Sequence, residues 1–361
     1  MAIRFEADCW AKVKENYRHW WAGELDRPLL QYTVFGYEPQ CPEPAIPPKI
    51  YLSAHPPEQT AEAIVDGWDF ALSQQRFMGD AFPCVWPNFG PGVIAAFSGC
   101  RLENHPDTVW FSSDGEKTIQ DIHIPFTPEA YWFRRVRDIM AAAEKHWQGK
   151  VQVGMTDLGG TLDILASFRG SEPLLMDLCD SPDEVKRATE EVHQAWWKYF
   201  DLLDAVVRPT NPGFTAWTPI FSETPYYMLQ CDFAYMISPE MFDEFVKPEV
   251  AASCRKLKHA FYHLDGVGQL PHLDSLLSIP ELAGIQWIPG AGQKHITEWP
   301  DVLKRIRDAG KLVQIFGGGK LNTMDILADK LGSLKGFICI DDVARENEGA
   351  VEKLLQRFSA D

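Results

Sequence analysis

The chain lacks several features that would assign it to a protein class at once. Its 361 residues include eight cysteines, but no two of them form a C-x-x-C pair or a framework of regular spacing. Disulfide-rich secreted domains and compact zinc modules need such spacings, so we expect reduced thiols in a cytoplasmic protein. No apolar core of a secretory signal occurs near Met1, and no run of about 18 apolar residues predicts a membrane span. Any metal site must therefore combine distant parts of the chain.

Positive charge is also scarce. The chain has 34 Lys and Arg against 51 Asp and Glu, which gives a formal net charge of −17. A nucleic-acid partner would require a basic footprint, so none is expected. Such acidity is typical of bacterial cytoplasmic proteins, and an acidic surface can also dock a basic patch on a partner. The hydrophobic fraction of 45% is ordinary for a globular protein with a substantial core.

Strand and helix patterns alternate from about residue 150 onward. Helix start signals occur at Ser181-Pro182-Asp183-Glu184, which predicts a capping box, at Ser238-Pro239-Glu240 and at Glu298-Trp299-Pro300-Asp301. Repeated strand–helix units predict parallel strands joined by right-handed crossovers. The apolar runs that predict strands are 151–156, 214–220, 258–264, 284–289, 312–317 and 336–340, and 27–35 predicts the first strand upstream.

These units predict an α/β fold, a single (β/α)8 TIM barrel spanning residues 1–361. Residues 1–26 are predicted to be an N-terminal helical extension. Residues 36–130 are rich in proline, glycine and tryptophan, and they are expected to form long insertions over one barrel mouth. An open doubly wound sheet is the main competitor, but no glycine-rich phosphate turn follows the first strand.

Chemistry in a barrel is carried by the carboxyl ends of the strands, and polar side chains gather there in this sequence. Residues two apart on a strand point the same way, so His263 and Asp265 are expected to face one site. They can hold a divalent metal or act as a general acid/base pair, or His263 can be a hydrogen-bonded barrel histidine and Asp265 a turn cap. Other strand ends contribute Asp157, Trp217, Glu223, Trp287, Lys320 and Cys339.

Two of these strand ends have alternative interpretations. Alternation with Ile338 and Ile340 would turn Cys339 inward, although a cysteine there is more often a small core residue. Gly317-Gly318-Gly319 before Lys320 can cradle an anion through backbone N–H groups, or simply form a turn into a helix.

Four segments together resemble the uroporphyrinogen decarboxylase-like superfamily, which includes corrinoid- and coenzyme M-dependent methyltransferases. The resemblance covers about residues 20 to 355. It rests on Asn88-Phe89-Gly90-Pro91-Gly92, on Phe168-Arg169-Gly170-Ser171-Glu172-Pro173-Leu174-Leu175, on Gln230-Cys231-Asp232-Phe233 leading into Ile237-Ser238-Pro239-Glu240-Met241-Phe242, and on His263-Leu264-Asp265-Gly266.

Departures from the superfamily narrow what the resemblance implies. The decarboxylase itself has an Arg-Gln-Ala-Gly-Arg-Tyr segment that grips porphyrin carboxylates, whereas this chain has Leu25-Asp26-Arg27-Pro28. The methyltransferase branch holds zinc with His-x-Cys and a distant Cys. Here His263 matches the histidine, Asp265 stands in place of the first cysteine, and Cys339 lies near the second. A carboxylate makes the site harder, which suits an oxygen-bearing substrate better than a thiol such as coenzyme M.

The resemblance therefore implies a corrinoid-dependent methyltransferase that acts on a small methoxy or methylamine substrate. Zinc would be held by His263, Asp265 and Cys339, and a corrinoid protein would be the partner. Proton donors to the demethylated fragment would be Asp157, Glu223 or Asp232, with Trp217, Tyr235 and Trp287 forming an apolar wall.

Two alternatives remain. In a metal-free decarboxylase or other lyase, His263 and Asp265 would be an acid/base pair, with Arg169 and Lys320 anchoring a small carboxylate. A non-catalytic protein that sequesters a small metabolite or a corrinoid would bind without turnover. A homodimer is expected on base rates alone.

Overall fold

A computed structural model describes residue 3 and residues 5–359 of the chain. The strands are β1 (Leu29–Phe35), β2 (Gln75–Gly79), β3 (Cys84–Val85), β4 (Arg101–Asn104), β5 (Val109–Ser112), β6 (Gln152–Val153), β7 (Tyr226–Leu229), β8 (His259–Asp265), β9 (Gly284–Ile288), β10 (Leu312–Phe316) and β11 (Phe337–Ala344). The α-helices are α1 (Ala7–Trp21), α2 (Ala61–Ser73), α3 (Ile94–Phe97), α4 (Tyr131–Trp147), α5 (Thr161–Arg169), α6 (Ser171–Asp180), α7 (Pro182–Val207), α8 (Pro239–Phe245), α9 (Lys247–Lys256), α10 (Leu273–Leu277), α11 (Pro300–Asp308), α12 (Thr323–Leu331) and α13 (Glu348–Phe358).

The main sheet has seven strands in the order β2-β1-β11-β10-β9-β8-β7. All neighbours are parallel except β2, which runs antiparallel to β1. A separate parallel pair joins β3 to β6, and β4 with β5 forms an antiparallel hairpin within the 36–130 insertion. The fold is thus a barrel-like α/β architecture, in which the main sheet and the β3–β6 pair are separate ladders.

The predicted strands lie where the sequence places them, with one exception. Residues 214–220 form no strand; their only ladder contact is an isolated bridge between Phe214 and Ser222, and the strand in this region is β7. The Thr215 hydroxyl donates to the Ile220 carbonyl at 2.7 Å, so the two ends of the segment are bonded to each other and the segment is not extended. The prediction of a strand over 214–220 is therefore wrong.

The helix start signals are confirmed in position. Helices α7, α8 and α11 begin at Pro182, Pro239 and Pro300. The Ser238 hydroxyl accepts from the Met241 N–H at 3.3 Å and caps α8. Ser181 makes no such bond to α7, so the predicted capping box is not formed there.

Helix α1 lies against the amino-terminal ends of the strands. Its Trp20 indole stacks on Phe261 of β8, with ring centroids 5.9 Å apart, and donates to the Phe337 carbonyl at 3.2 Å. Trp20 and Tyr17 are each 1% exposed, so α1 is part of the core. No helix among the described residues is long and apolar enough to cross a membrane.

Strand register decides which side chains share a face of the main sheet. His263 pairs with Gln286, Gln286 with Gln314, and Gln314 with Ile338. Directly paired residues of parallel strands point the same way, so His263 lies on the face that carries Gln286 and Gln314. Their immediate neighbours along the strands, among them Trp287 and Cys339, point to the opposite face.

Candidate functional site

Three ionisable side chains meet at the carboxyl end of β8. Ligand-type atoms of Asp232, His263 and Asp265 all lie within 4.8 Å of one another. The His263 Nε2 atom is 3.7 Å from the Asp265 Oδ2 atom. His263 and Asp265 were predicted to share a site from their spacing, and the structure brings them together with Asp232.

The His263 ring is held by two neighbours. Its Nδ1 atom hydrogen-bonds to the Gln286 side-chain oxygen, and its ring meets Trp217 edge to face with centroids 5.0 Å apart. Burial alone would lower the pKa of His263, but hydrogen bonding to Asp265 and attraction to Asp232 outweigh burial and raise that pKa. With Nδ1 bonded to the Gln286 side-chain oxygen, Nε2 is the ring nitrogen left to face Asp265.

Asp232 is positioned by a second carboxylate that the sequence analysis missed. Asp163, in the first turn of α5, accepts from the backbone N–H of Asp232 at 3.0 Å and of Phe233 at 2.7 Å. Desolvation by the surrounding protein and repulsion from Asp265 raise the pKa of Asp232, against the attraction of His263. An acid in a first helical turn looks like an ordinary helix start, so no sequence signal distinguishes Asp163.

Asp157 lies behind this cluster and is 7% exposed. Its Oδ1 atom accepts from the Gly159 N–H at 3.0 Å and from the Gln230 amide at 3.2 Å. Burial, reinforced by the nearby Asp232, raises the pKa of Asp157 to about 7. A carboxylic acid with that pKa can give or take a proton at neutral pH.

The residues of the cluster fit a divalent cation. One imidazole and two carboxylates are three protein ligands, which leaves a coordination position open for substrate. The Nδ1–H bond from His263 to an amide oxygen is the type of outer contact that orients metal-bound histidines. Two carboxylates this close together repel one another, and a cation between them stabilises both.

Two predicted residues point away from the cluster. Cys339 is fully buried on the opposite face of the sheet, where burial raises the pKa of its thiol to about 12. Trp287 is also fully buried and packs edge to face on Trp299, just before α11, at 5.5 Å. The expectations that Cys339 turns inward to a metal and that Trp287 lines a substrate wall are therefore corrected.

The remaining predicted residues are spread around the fold. Glu223 lies near the amino-terminal end of β7, where it bonds Arg18 of α1 at 2.8 Å, so it is not at the cluster. Tyr235 is 53% exposed, and its ring covers Gly268 so closely that a Cβ there would come within 2.5 Å of it.

Neither predicted carboxylate anchor is placed at the cluster. Lys320 is exposed at the end of β10. The Gly319 N–H beside it donates to the Asp341 carboxylate at 3.0 Å. The Asp341 carboxylate therefore already fills the anion position that the glycine turn offers. Arg169 is paired with Asp177 through Nε at 2.5 Å.

A cavity of about 610 Å³ opens beside the cluster and includes Asp232 in its wall. Its other walls come from the β4–β5 hairpin, from α5 with Arg169, and from the turn at Phe233–Met236. The insertion therefore builds one side of a ligand-sized space that reaches the cluster.

Comparisons with known proteins support the fold. No protein-family model matches the chain, and no curated protein matches it by sequence. Among solved structures it is similar to a methyltransferase from Methanosarcina mazei, with a TM-score of 0.61 and 12% identity, over 96% of this chain and 99% of that chain. A mandelate racemase/muconate lactonizing enzyme from Sulfitobacter sp. gives a TM-score of 0.33 at 12% identity, over 92% of this chain and 59% of that chain, and carries no argument. The first likeness shows a shared fold along nearly the whole of both chains.

Proposed function

We propose that this protein is a methyltransferase of a corrinoid-dependent demethylation system, acting on a small methoxy or methylamine substrate with the help of a bound divalent metal. The observation that carries the proposal is the convergence of Asp232, His263 and Asp265 within 4.8 Å at the carboxyl end of β8. The shared fold with a methyltransferase along 96% of the chain supports it.

Asp232 replaces Cys339 in the ligand set that the sequence suggested. Zinc is the first metal to test, because it accepts imidazole and carboxylate ligands with an open position. When bound, it would supply Lewis-acid stabilisation of the heteroatom that leaves with the demethylated fragment.

The protein's own residues would handle the proton and the substrate. Asp157, with its pKa raised to about 7 by burial and by Asp232, would protonate the demethylated fragment. Trp217, which meets the His263 ring at 5.0 Å, would provide apolar wall beside the cluster. A corrinoid carried by a partner protein would meet the site at the strand ends, where the acidic surface would guide docking.

Elemental analysis tests the metal. Protein purified without chelator or affinity nickel should carry about one zinc per chain, and His263→Ala should lose both the metal and methyl transfer. His105→Ala removes an exposed histidine of the insertion and is the matched control, which should retain both. Methyl transfer that survives in metal-free His263→Ala protein would exclude the metal-assisted form.

A metal-free lyase is the second candidate, and the protonation behaviour of Asp157 and His263 favours it. Asp157, with a pKa of about 7, and His263, whose pKa is raised by Asp265 and Asp232, would form the acid/base pair in place of His263 with Asp265. Arg169 already bonds Asp177, however, and Lys320 is exposed beyond the end of β10, so neither proposed carboxylate anchor is available at the cluster. Release of CO₂ from small carboxylates by metal-free protein would support the lyase, and strict metal dependence would exclude it.

A further inference from the structure

The cavity beside the cluster has an unusual lining for a site that would take neutral or acidic methoxy compounds. Aromatic residues come from three separate elements of its wall: the β4–β5 hairpin, α5 and the turn after Asp232. They are Trp110, Phe111, Phe168 and Phe233. Aromatic faces attract cations because the ring quadrupole is negative above and below the plane.

The charged groups of the lining add to this preference. Glu116 and Asp232 contribute carboxyl groups to the wall. Asp163 lies there too, but its carboxylate already accepts from two backbone N–H groups. The one cationic side chain among the lining residues, all of which the structure describes, is Arg169. Both of its hydrogen bonds go to the Asp177 carboxylate, from Nε at 2.5 Å and from Nη2 at 3.2 Å. The cavity therefore has an excess of acidic groups and no uncommitted cation to receive a substrate carboxylate.

From the aromatic lining and this charge balance we propose that the cavity binds a methylated ammonium group, quaternary or tertiary. The assignment rests on the proposed function and narrows its substrate class from methoxy or methylamine compounds to methylated amines. An ammonium nitrogen has no lone pair to give to a metal, so it would lie among the aromatic rings. Asp232 belongs to both the cavity and the cluster, so the N-methyl groups of the ligand would approach the cluster from that side. Transfer of one methyl group to the cobalt(I) centre of the corrinoid would break its C–N bond and leave the electron pair on the departing neutral amine.

Calorimetry with a matched pair of probes tests the charge preference. Choline and 3,3-dimethylbutan-1-ol have nearly the same shape, but only choline is charged. Titrated into the metal-free protein at low ionic strength, choline should bind about tenfold more tightly than its neutral isostere. Phe111→Leu keeps an apolar side chain but removes the ring, and should take away most of this difference.

One further test variant and two matched controls complete the design. Glu116→Gln should weaken choline binding by about threefold, because this acid is exposed and its interaction is screened. Glu352→Gln, an exposed acid on α13, and Tyr131→Leu, an exposed ring at the start of α4, lie outside the cavity and should leave choline binding unchanged.

The outcomes separate this inference from the function on which it rests. Equal binding of the two probes, or tighter binding of a methoxybenzoate, overturns the ammonium assignment even if the enzyme transfers methyl groups. Selective choline binding that Phe111→Leu abolishes supports it, even if His263→Ala shows that no metal takes part.

Discussion

Asp157 is an acid whose burial should be visible in the pH dependence of stability. In the folded protein its pKa is raised to about 7, chiefly by burial, whereas in the unfolded chain it is about 4. Between these values the folded state binds more protons than the unfolded state, so the free energy of unfolding falls as pH rises from 4 to 7. The destabilisation caused by the buried, ionised Asp157 is therefore complete above pH 7 and absent below pH 4.

Asp157→Asn should therefore stabilise the metal-free protein at pH 8, by at most about 4 kcal/mol, the linkage value for three pKa units. The gain should vanish near pH 4. Urea unfolding across this range measures it, and Asp329→Asn, at an exposed acid of α12, is the control. A gain that does not change with pH would contradict the assignment.

Cys339 provides a test of the ligand set. Because it lies on the opposite face of the sheet from His263, Cys339→Ala should keep the bound metal and its affinity. It should cost about 1 kcal/mol of stability through the lost packing of a buried side chain. Metal titration measures the affinity, and thermal unfolding measures the stability. Loss of metal from a fully folded Cys339→Ala variant would show that Cys339 is a ligand after all.

The sequence predicts the two-residue spacing of His263 and Asp265 correctly, because that spacing is intrinsic to a strand. It misassigns Cys339 and Trp287 because alternation says which residues share a face but not which face is the functional one. That choice follows from the register of β9, β10 and β11 against β8, which pairs His263 with Gln286 and Gln314 with Ile338. Register depends on contacts between distant segments, which spacing alone does not reveal.

At the scale of elements, the turn between β6 and α5 sets the position of Asp157. Gly159 has a φ of +82°, and a Cβ there would lie 2.4 Å from the Gly92 Cα atom. Neither backbone can move away easily, so this close approach requires glycine. The turn holds Asp157 through the Gly159 N–H.

Gly159→Ala should cost more than about 2 kcal/mol of stability, because it combines a left-handed backbone with a backbone clash. Gly67→Ala is the matched control: Gly67 lies within α2, its φ is not positive, and no atom lies within 4 Å of an added Cβ. That change should stabilise the protein by about 0.5–1 kcal/mol through helix propensity. Equal effects of the two changes in urea unfolding would refute the close approach.

The segment 214–220 shows why one strand was misplaced. Its apolar residues and threonines are typical of a strand, yet Pro219 has no N–H to donate, and the Thr215 hydroxyl bonds within the segment. The neighbouring residues of β7 are all buried and pair with β8 instead. Trp217 nonetheless reaches His263 from the loop, so the site residue was found although its element was wrong.

At the scale of the whole molecule, the predicted N-terminal extension is part of the core. Tyr17, Trp20 and Trp21 of α1 contact aromatic side chains of β7, β8 and the 219–222 loop. The sequence shows an amphipathic helix before the first strand, but not which surface its apolar face covers. Because Phe261 is two residues from His263 on the same face of β8, α1 supports the strand that carries the site.

Trp20→Ala should therefore destabilise the protein by about 3–5 kcal/mol, since it removes a fully buried indole, its stacking on Phe261 and its hydrogen bond to the Phe337 carbonyl. Trp110→Ala removes the same side chain from a position that is 62% exposed, and should change stability by less than about 0.5 kcal/mol. Denaturant unfolding of the two variants gives the comparison. Choline affinity should show the reverse order at a temperature where both remain folded, because Trp110 lines the cavity and Trp20 does not. A Trp20→Ala variant as stable as Trp110→Ala would mean that α1 contributes little to the core.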